Sequence, residues 1–314
     1  MSKKLNILVT SCGGDIGQSI GKILKDLGHV IFGQDITKKT PSKFIYDKFQ
    51  VGLRVTNKNY LKGIKETIKT NNIHIVIPAS EVELVFYSNL AKKTRLIFGA
   101  KLLIPNHSII ETSIDKKNTC DFLKQNNLPY PKVYDLKNTL IKYPCIAKSR
   151  KGSGGSNVFI VEDENESFFY IKKYNNLIFQ ELLDGKKGEF TCCCFMGSNG
   201  LFRSIILKRD LAIGGYSKYG EVIENNYITE LLLKVSELLN LRGSINIQLR
   251  INRGIPTIFE INPRFSSTVL FRHLFGFKDL QWSIEDLMEM EISKYLKPKA
   301  GSLFYRGYSE YIEN

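Results

Sequence analysis

Short apolar runs at Leu5–Thr10, Val30–Gln34, His74–Pro78 and Lys101–Ile104 alternate with helical patterns at Asp15–Leu27, Asn59–Lys69 and Glu81–Lys92. Strands that alternate with helices in this way predict a doubly wound parallel sheet over residues 1–105. The pattern then changes. Asp115 is placed to N-cap a helix running to about Gln125, which Leu128-Pro129-Tyr130-Pro131 closes. Tyr143–Ser149 and Val158–Val161 read as antiparallel strands joined by the glycine- and serine-rich stretch Lys151–Asn157. A helix at Glu164–Lys173 and a strand at Leu177–Leu182 follow, which closes a second unit at 106–185. From Gly188 onward, strands and one long helix (Ile228–Leu239) lead to a hairpin, Ile245–Ile251 with Ile255–Asn262, turned by Asn252-Arg253-Gly254. That gives a third unit at 186–314, with no internal repeat or low-complexity linker.

The hairpin is the most informative stretch. Ile245, Ile247, Leu249 and Ile251 share one face of its first strand, leaving Asn246, Gln248 and Arg250 on the other. In the second strand, Thr257, Phe259 and Ile261 share a face, leaving Glu260, Asn262 and Arg264 opposite. Pairing about Arg253 makes Gln248 and Glu260 close or diagonal neighbours. One carboxylate, amide oxygens and a guanidinium thus gather on one side. Oxygen-only ligands suit magnesium held jointly with a nucleotide's phosphates, although a solvated outer face fits the same alternation.

The second cluster is "AKSRKGSGGSNV". Lys148 ends a strand, and Gly152, Gly154 and Gly155 follow. Such a loop lets backbone N–H groups approach phosphate oxygens while the lysine supplies a point charge. No Gly-Lys-Ser/Thr closes it, so it is not a Walker A loop.

Composition narrows the classes. The 314 residues carry a net charge of +14, which raises nucleic acid as a partner. The lysines are spread along the chain with no aromatic-interleaved basic block, so an anionic small substrate is expected and nucleic acid is not. No window approaches 18 uninterrupted apolar residues, so no membrane insertion is expected. Met1-Ser2-Lys3-Lys4 leads into a strand without a signal-peptide apolar region, so a cytoplasmic protein is expected. Cys192-Cys193-Cys194 and the other cysteines form no metal-spaced group and read as small core residues in a reducing compartment.

In this order, "IDKKNTCDFLKQNNLPYPK", the lysine and glycine loop, "FQELLDG" and "NIQ…FEINPRFSS" resemble the ATP-grasp enzymes. The resemblance is closest to the carbamoyl-phosphate-synthase-like single-chain carboxylate–amine ligases. It implies a Rossmann-like pre-ATP-grasp domain followed by a two-subdomain ATP-grasp fold, that is, α/β then α+β. Lys116 and Lys148 match the basic residues that hold ATP phosphates, and Gly152, Ser153, Gly154, Gly155 and Ser156 the loop that covers them. Glu181, Leu182 and Leu183 match the adenine hinge, and Glu189 the ribose-binding acid, although Cys192 and Cys193 stand where a further acid often follows. Gln248, Glu260 and Asn262 match the magnesium ligands, Glu260 bridging two ions; manganese is an alternative metal. Arg264 matches the arginine at the transferring phosphoryl group.

The implied reaction joins a small-molecule carboxylate to an amine through an acylphosphate, releasing ADP and phosphate. A kinase, a carboxyphosphate former and a non-catalytic nucleotide-binding regulator remain alternatives, and homodimers are frequent in the family. "VTSCGGDIGQSIG" with Asp35 also resembles a dinucleotide fingerprint, but Ser11 stands where its first glycine belongs. The resemblance instead has Gly13 and Gly14 face the central cleft and shape the acceptor site, with Asp35 a strand-end or turn residue. Glu81 or Glu83, at a strand's carboxyl end, is expected to bind or deprotonate the amine; dipole-stabilised acids at a helix start fit equally. Arg272 or His273 is a candidate for contact with a substrate carboxylate, and Ser266 and Ser267 are candidate cleft residues on the substrate side.

Overall fold

The computed structural model describes residues 4–135, 140–152, 157–212, 214–307 and 309–313. Its first sheet contains β1 (Asn6–Thr10), β2 (Val30–Asp35), β3 (Lys48–Val51), β4 (Ile75–Pro78), β5 (Leu96–Ile97) and β6 (Ala100–Leu102) in the order β3-β2-β1-β4-β6-β5. All neighbours are parallel except the β5–β6 edge. Helices α1 (Asp15–Asp26), α2 (Tyr60–Thr70) and α3 (Glu81–Leu90) accompany it, and α4 (His107–Ile114) follows, Ile110 packing with this core and Ile109 with that of the third sheet.

The central strand is buried on both faces, which is why it reads as an unbroken apolar run. Ile7 and Val9 pack with Ile20 and Ile23 of α1, while Leu8 packs with Tyr60, Ile64 and Leu84 of α2 and α3. The strand β3 is not among the expected elements. Its residues are mostly exposed and carry no apolar run, so backbone pairing with β2, invisible to a pattern of side chains, makes it a strand.

Helix α5 (Lys116–Gln125) leads to a sheet of β7 (Val133–Tyr134), β8 (Cys145–Ser149), β9 (Val158–Val161) and β10 (Leu177–Glu181), ordered β7-β10-β8-β9, with α6 (Glu164–Lys173) beside it. Asp115 caps α5 as expected, its carboxylate accepting from the Lys117 N–H at 2.9 Å.

The third sheet has the order β15-β14-β11-β12-β13-β16, from β11 (Glu189–Met196), β12 (Phe202–Leu211), β13 (Ser217–Ile223), β14 (Gly243–Asn252), β15 (Ile255–Asn262) and β16 (Leu303–Tyr305). Its helices are α7 (Asn226–Leu238), α8 (Val269–Leu274) and α9 (Asp279–Leu287). The consecutive cysteines are core residues on both faces of β11. Cys192 and Cys194 pack with Ile228, Leu232 and Val235 of α7, and Cys193 with Phe277 and Trp282. All six cysteines are free and buried. No helix among the described residues is long and apolar enough to cross a membrane.

One strand departs from simple alternation. Gln248 pairs with Glu260, but Leu249 pairs with Ile258, so Phe259 is an extra residue in β15. The bulge turns Ile258 rather than Phe259 into the core beside Ile261. The expected face of Thr257, Phe259 and Ile261 is therefore corrected: Phe259 joins Glu260 on the cavity side.

Candidate functional site

A cavity of about 680 Å³ lies between the second and third sheets, with Asp15 and Ile16 of α1 at its wall. Two lysines line it, one from the second sheet and one from helix α5. Lys148, on β8, is 8% exposed, and its Nζ lies 3.4 Å from the Phe259 carbonyl and 5.6 Å from the centre of the Phe259 ring. Burial lowers the Lys148 pKa to about 8; Glu260 opposes the shift and Lys116 adds to it. A buried positive group, its pKa raised only in part by Glu260 and Glu189, is poised for an anionic ligand. Lys116, at the start of α5, donates to the Gly152 carbonyl at 2.8 Å. The Arg150 fork on Asp115, at 3.1 and 2.8 Å, ties the helix start to the end of β8 and so holds the two lysines in one frame. Ser153, Gly154, Gly155 and Ser156, the rest of the expected loop, lie outside the described residues.

Gln248, Glu260, Asn262 and Arg264 line the same cavity from the hairpin side. Asn246 opposes Asn262 and Gln248 opposes Glu260 in register, so the amide and carboxylate oxygens form adjacent rungs. Among the described residues, no three His, Cys, Asp or Glu side chains could hold a metal together. One carboxylate with two amides fits magnesium only if phosphate oxygens complete the shell, and the lysines stand where such phosphates would be met.

Glu181 and Leu183 line the cavity, whereas Leu182 does not. Glu189 is held by two guanidiniums. Its Oε1 accepts from Arg209 at 2.7 and 3.2 Å, and its Oε2 from Arg250 at 2.9 and 3.3 Å. These four bonds occupy the acceptor positions of the carboxylate, and neither arginine was foreseen. Other unforeseen lining residues are Gly214, Gly215 and Tyr216 of the β12–β13 connection, together with Asp15 and Phe259. The Gly-Gly of "AIGGYS" was the available signal; the bulge that turns Phe259 had none.

Several expectations are corrected here. Gly13 and Gly14 do not line the cavity; Asp15 and Ile16 of the following turn do. The Gly13 N–H donates to Asp35 Oδ2 at 2.7 Å, and an added Cβ would meet that oxygen at the same 2.7 Å. The glycine therefore serves contact with a strand-end aspartate, the position expected for Asp35. Glu83 is 7% exposed and accepts from Ser11 Oγ at 2.6 Å and Tyr60 OH at 2.7 Å, so it is enclosed in the first domain and does not face the cavity. Glu81 reaches the site only through Arg264, at 3.2 Å.

Arg272 is 1% exposed and forks onto the equally buried Asp279 at 3.3 and 2.8 Å, out of reach of any substrate. His273 is buried and turned toward Asp26 at 3.7 Å. Ser266 and Ser267 do line the cavity.

Known proteins resemble this chain to different extents. Residues 113–268 match the family model of the ATP-grasp domain. The carbamoyl phosphate synthase large chain of a Thermoanaerobacter species is 26% identical over 194 residues, which cover 54% of this chain and 18% of that one. The match thus spans less than a fifth of that relative's length. Among solved structures, N5-carboxyaminoimidazole ribonucleotide synthetase from Thermus thermophilus superposes with a TM-score of 0.76 at 16% identity, covering 95% of this chain and 82% of that one. L-amino acid ligase from Bacillus licheniformis gives 0.70 at 17% identity, covering 95% and 76%. The biotin carboxylase domain of Hydrogenobacter thermophilus 2-oxoglutarate carboxylase gives 0.77 at 14%, covering 96% and 74%. At these identities the superpositions speak for fold alone, a mixed α/β architecture of several sheets. The family match falls on the segment that carries Lys116, Lys148, Glu260 and Arg264, and residues 113–268 of this chain are an ATP-grasp domain.

Proposed function

We propose that this protein is an ATP-dependent carboxylate–amine ligase that works through an acylphosphate and releases ADP and phosphate. The observation that carries the reading is the meeting of Lys148 and Lys116 with Gln248, Glu260, Asn262 and Arg264 in one cavity. Lys116 and Lys148 hold the ATP phosphates, and Glu181 to Leu183 hold adenine. The ribose end falls to Glu189 and Arg250, where a ribose hydroxyl would take the place of an Arg250 nitrogen on Glu189 Oε2. Gln248, Glu260 and Asn262 would hold magnesium, which supplies charge neutralisation at the phosphates when bound.

Arg264 stands by the transferring phosphoryl group and offsets its charge. Attack by the substrate carboxylate on the γ-phosphorus releases ADP; attack by the amine on the acyl carbon then releases phosphate. The protein's part is positioning and exclusion of water, since an acylphosphate exposed to water is lost to hydrolysis.

The wider organisation follows the same proposal. A Rossmann-like domain at 1–105 contributes the acceptor side, and subdomains at 106–185 and 186–314 enclose the nucleotide. We place the protein in the cytoplasm, with small molecules rather than nucleic acid as partners and a homodimer as the assembly to test.

The test is ADP release from magnesium-ATP against a matrix of carboxylates, bicarbonate included, with and without amines. Release that needs one carboxylate and rises with one amine supports the ligase. Release with bicarbonate alone supports a carboxyphosphate former, the reading favoured by the likeness to a biotin carboxylase domain solved with MgADP and bicarbonate. Binding of ATP with no release across the matrix would sink both.

A further inference from the structure

Behind Arg264 lies a second, smaller pocket of about 40 Å³, set between the first sheet and helix α9 of the third. Arg264 belongs to the walls of both pockets. At roughly 10–15 Å³ for a water-sized site, the space suits one small ion. Its wall is largely apolar, with Leu84, Leu102, Ile104 and Phe265 contributing. Four charged side chains stand among them: Arg95 from the turn before β5, Arg242 just before β14, Arg264, and Asp286 of α9.

Two of the three arginines have no matching charge. Arg264 is met by Glu81 at 3.2 Å and by the Phe265 carbonyl at 3.1 Å. Asp286 Oδ1 already accepts from the Ser198 N–H and from Ser198 Oγ, each at 2.7 Å. Arg95 donates to the Asn106 side-chain oxygen and Arg242 to the Gly197 carbonyl, both neutral acceptors. Among the described residues neither of these two forms an ion pair. A guanidinium carries five N–H donors, so both have donors to spare. Burial lowers the pKa of the half-buried Arg95; Asp286 opposes the shift and Arg242 adds to it. Two like charges thus face one pocket, and an anion beside them would relieve both the repulsion and the lost hydration.

The hydroxyls at the wall do not compete for that anion. Ser244 Oγ donates to Asp279 Oδ2 at 2.8 Å, where Cys193 Sγ also donates at 3.3 Å, and Ser283 Oγ donates to the Asp279 carbonyl at 2.6 Å. Recognition falls to guanidinium N–H groups set in an apolar wall. That setting favours a weakly hydrated monovalent ion. A dianion such as hydrogen phosphate loses more hydration on entry and meets the Asp286 carboxylate at the same wall.

We propose that this pocket binds a small halide-class anion, chloride, between Arg95 and Arg242, tying the first sheet to the third behind Arg264. The site is independent of the ligase reading and shares no phosphate or metal contact with the larger cavity. Asn106 supports it, because its Nδ2 donates to the Asn240 carbonyl at 3.2 Å and so turns its oxygen to Arg95.

The experiment takes the full chain in sodium gluconate, whose anion is too large for the pocket, and titrates chloride at constant ionic strength. Binding is read from 35Cl NMR line broadening and from the thermal midpoint. Wild type should show saturable broadening and a midpoint that climbs as chloride passes its dissociation constant. Arg242→Gln, at the more exposed of the two arginines, should weaken chloride about tenfold, as expected for losing a hydrogen bond to a charged group. Arg95→Gln tests the opposite wall in the same way, and an unchanged circular-dichroism spectrum separates lost binding from lost folding. Chloride and gluconate acting alike on wild type would overturn the proposal. So would a chloride response that survives both substitutions unchanged, which would place the ion elsewhere, or phosphate binding more tightly than chloride.

Discussion

Glu81 Oε1 lies 3.2 Å from Arg264 Nη2, a contact between side chains 183 residues apart that joins the start of α3 to the segment after β15. Both side chains are mostly buried, at 18% and 13% exposure, so the contact is more than a screened surface pair. It gives Glu81 a role other than the expected amine binding: the carboxylate sets where the guanidinium stands.

Glu81→Ala should therefore lower the rate of ADP release about a hundredfold through a misplaced Arg264, with the Michaelis constant for the amine little changed. Steady-state kinetics with the best carboxylate and amine pair provide the check. A raised amine Michaelis constant with an intact turnover number would instead return Glu81 to the acceptor.

Glu260 is the only carboxylate among the expected magnesium ligands, and it pairs with Gln248 in the strand register. Glu260→Ala should abolish turnover while leaving the fold intact. Chelation of magnesium should reproduce the loss in wild type and change little in the variant. Normal ADP release from Glu260→Ala at saturating magnesium would refute the metal assignment.

Lys148 offers a prediction about stability as well as binding. Its pKa is lowered by burial from 10.5 to about 8. Between those values the unfolded chain binds more protons than the folded one, so the unfolding free energy rises with pH across that window and the penalty is fully present below pH 8. Removing the charge should then help the fold. Lys148→Met should be about 1–3 kcal/mol more stable than wild type at neutral pH, and the gap should close as pH approaches 10.5. Denaturant midpoints at neutral and alkaline pH measure this, and a variant less stable than wild type at neutral pH would refute it. ATP affinity should fall in the variant at all pH values. In wild type it should weaken above pH 8, where the free lysine loses the proton that phosphate binding requires.

These predictions rest on features that the sequence displays unequally. Side-chain period exposes buried strands such as β1, and residue identity exposes Lys148, Glu260 and Asn262, whose chemistry depends on the atoms they carry. What escapes is whatever backbone pairing or distance decides. The edge strand β3 has no apolar run to show. The bulge at Phe259 shifts the pleat by one residue without any glycine to mark it. The clamp of Arg209 and Arg250 on Glu189 comes from strands that flank β11 on either side, and no local spacing announces it. Gly13 and Glu83 were legible as unusual residues, but a close approach inside the first domain explains them as well as a ligand does.

The buried pair Arg272–Asp279 carries the last prediction. Both side chains are 1% exposed, so each charge depends on the other for compensation. Arg272→Met keeps the volume of the stem but leaves the Asp279 carboxylate unpaired, which should cost about 3–5 kcal/mol. Adding Asp279→Asn neutralises the stranded charge while preserving acceptors for Ser244 and Cys193, so the double variant should be more stable than Arg272→Met alone. The two substitutions should deviate from additivity by about 0.5–3 kcal/mol, measured by denaturant unfolding of the two single variants, the double variant and wild type. Additive losses would mean that the arginine is held by packing rather than by its carboxylate partner.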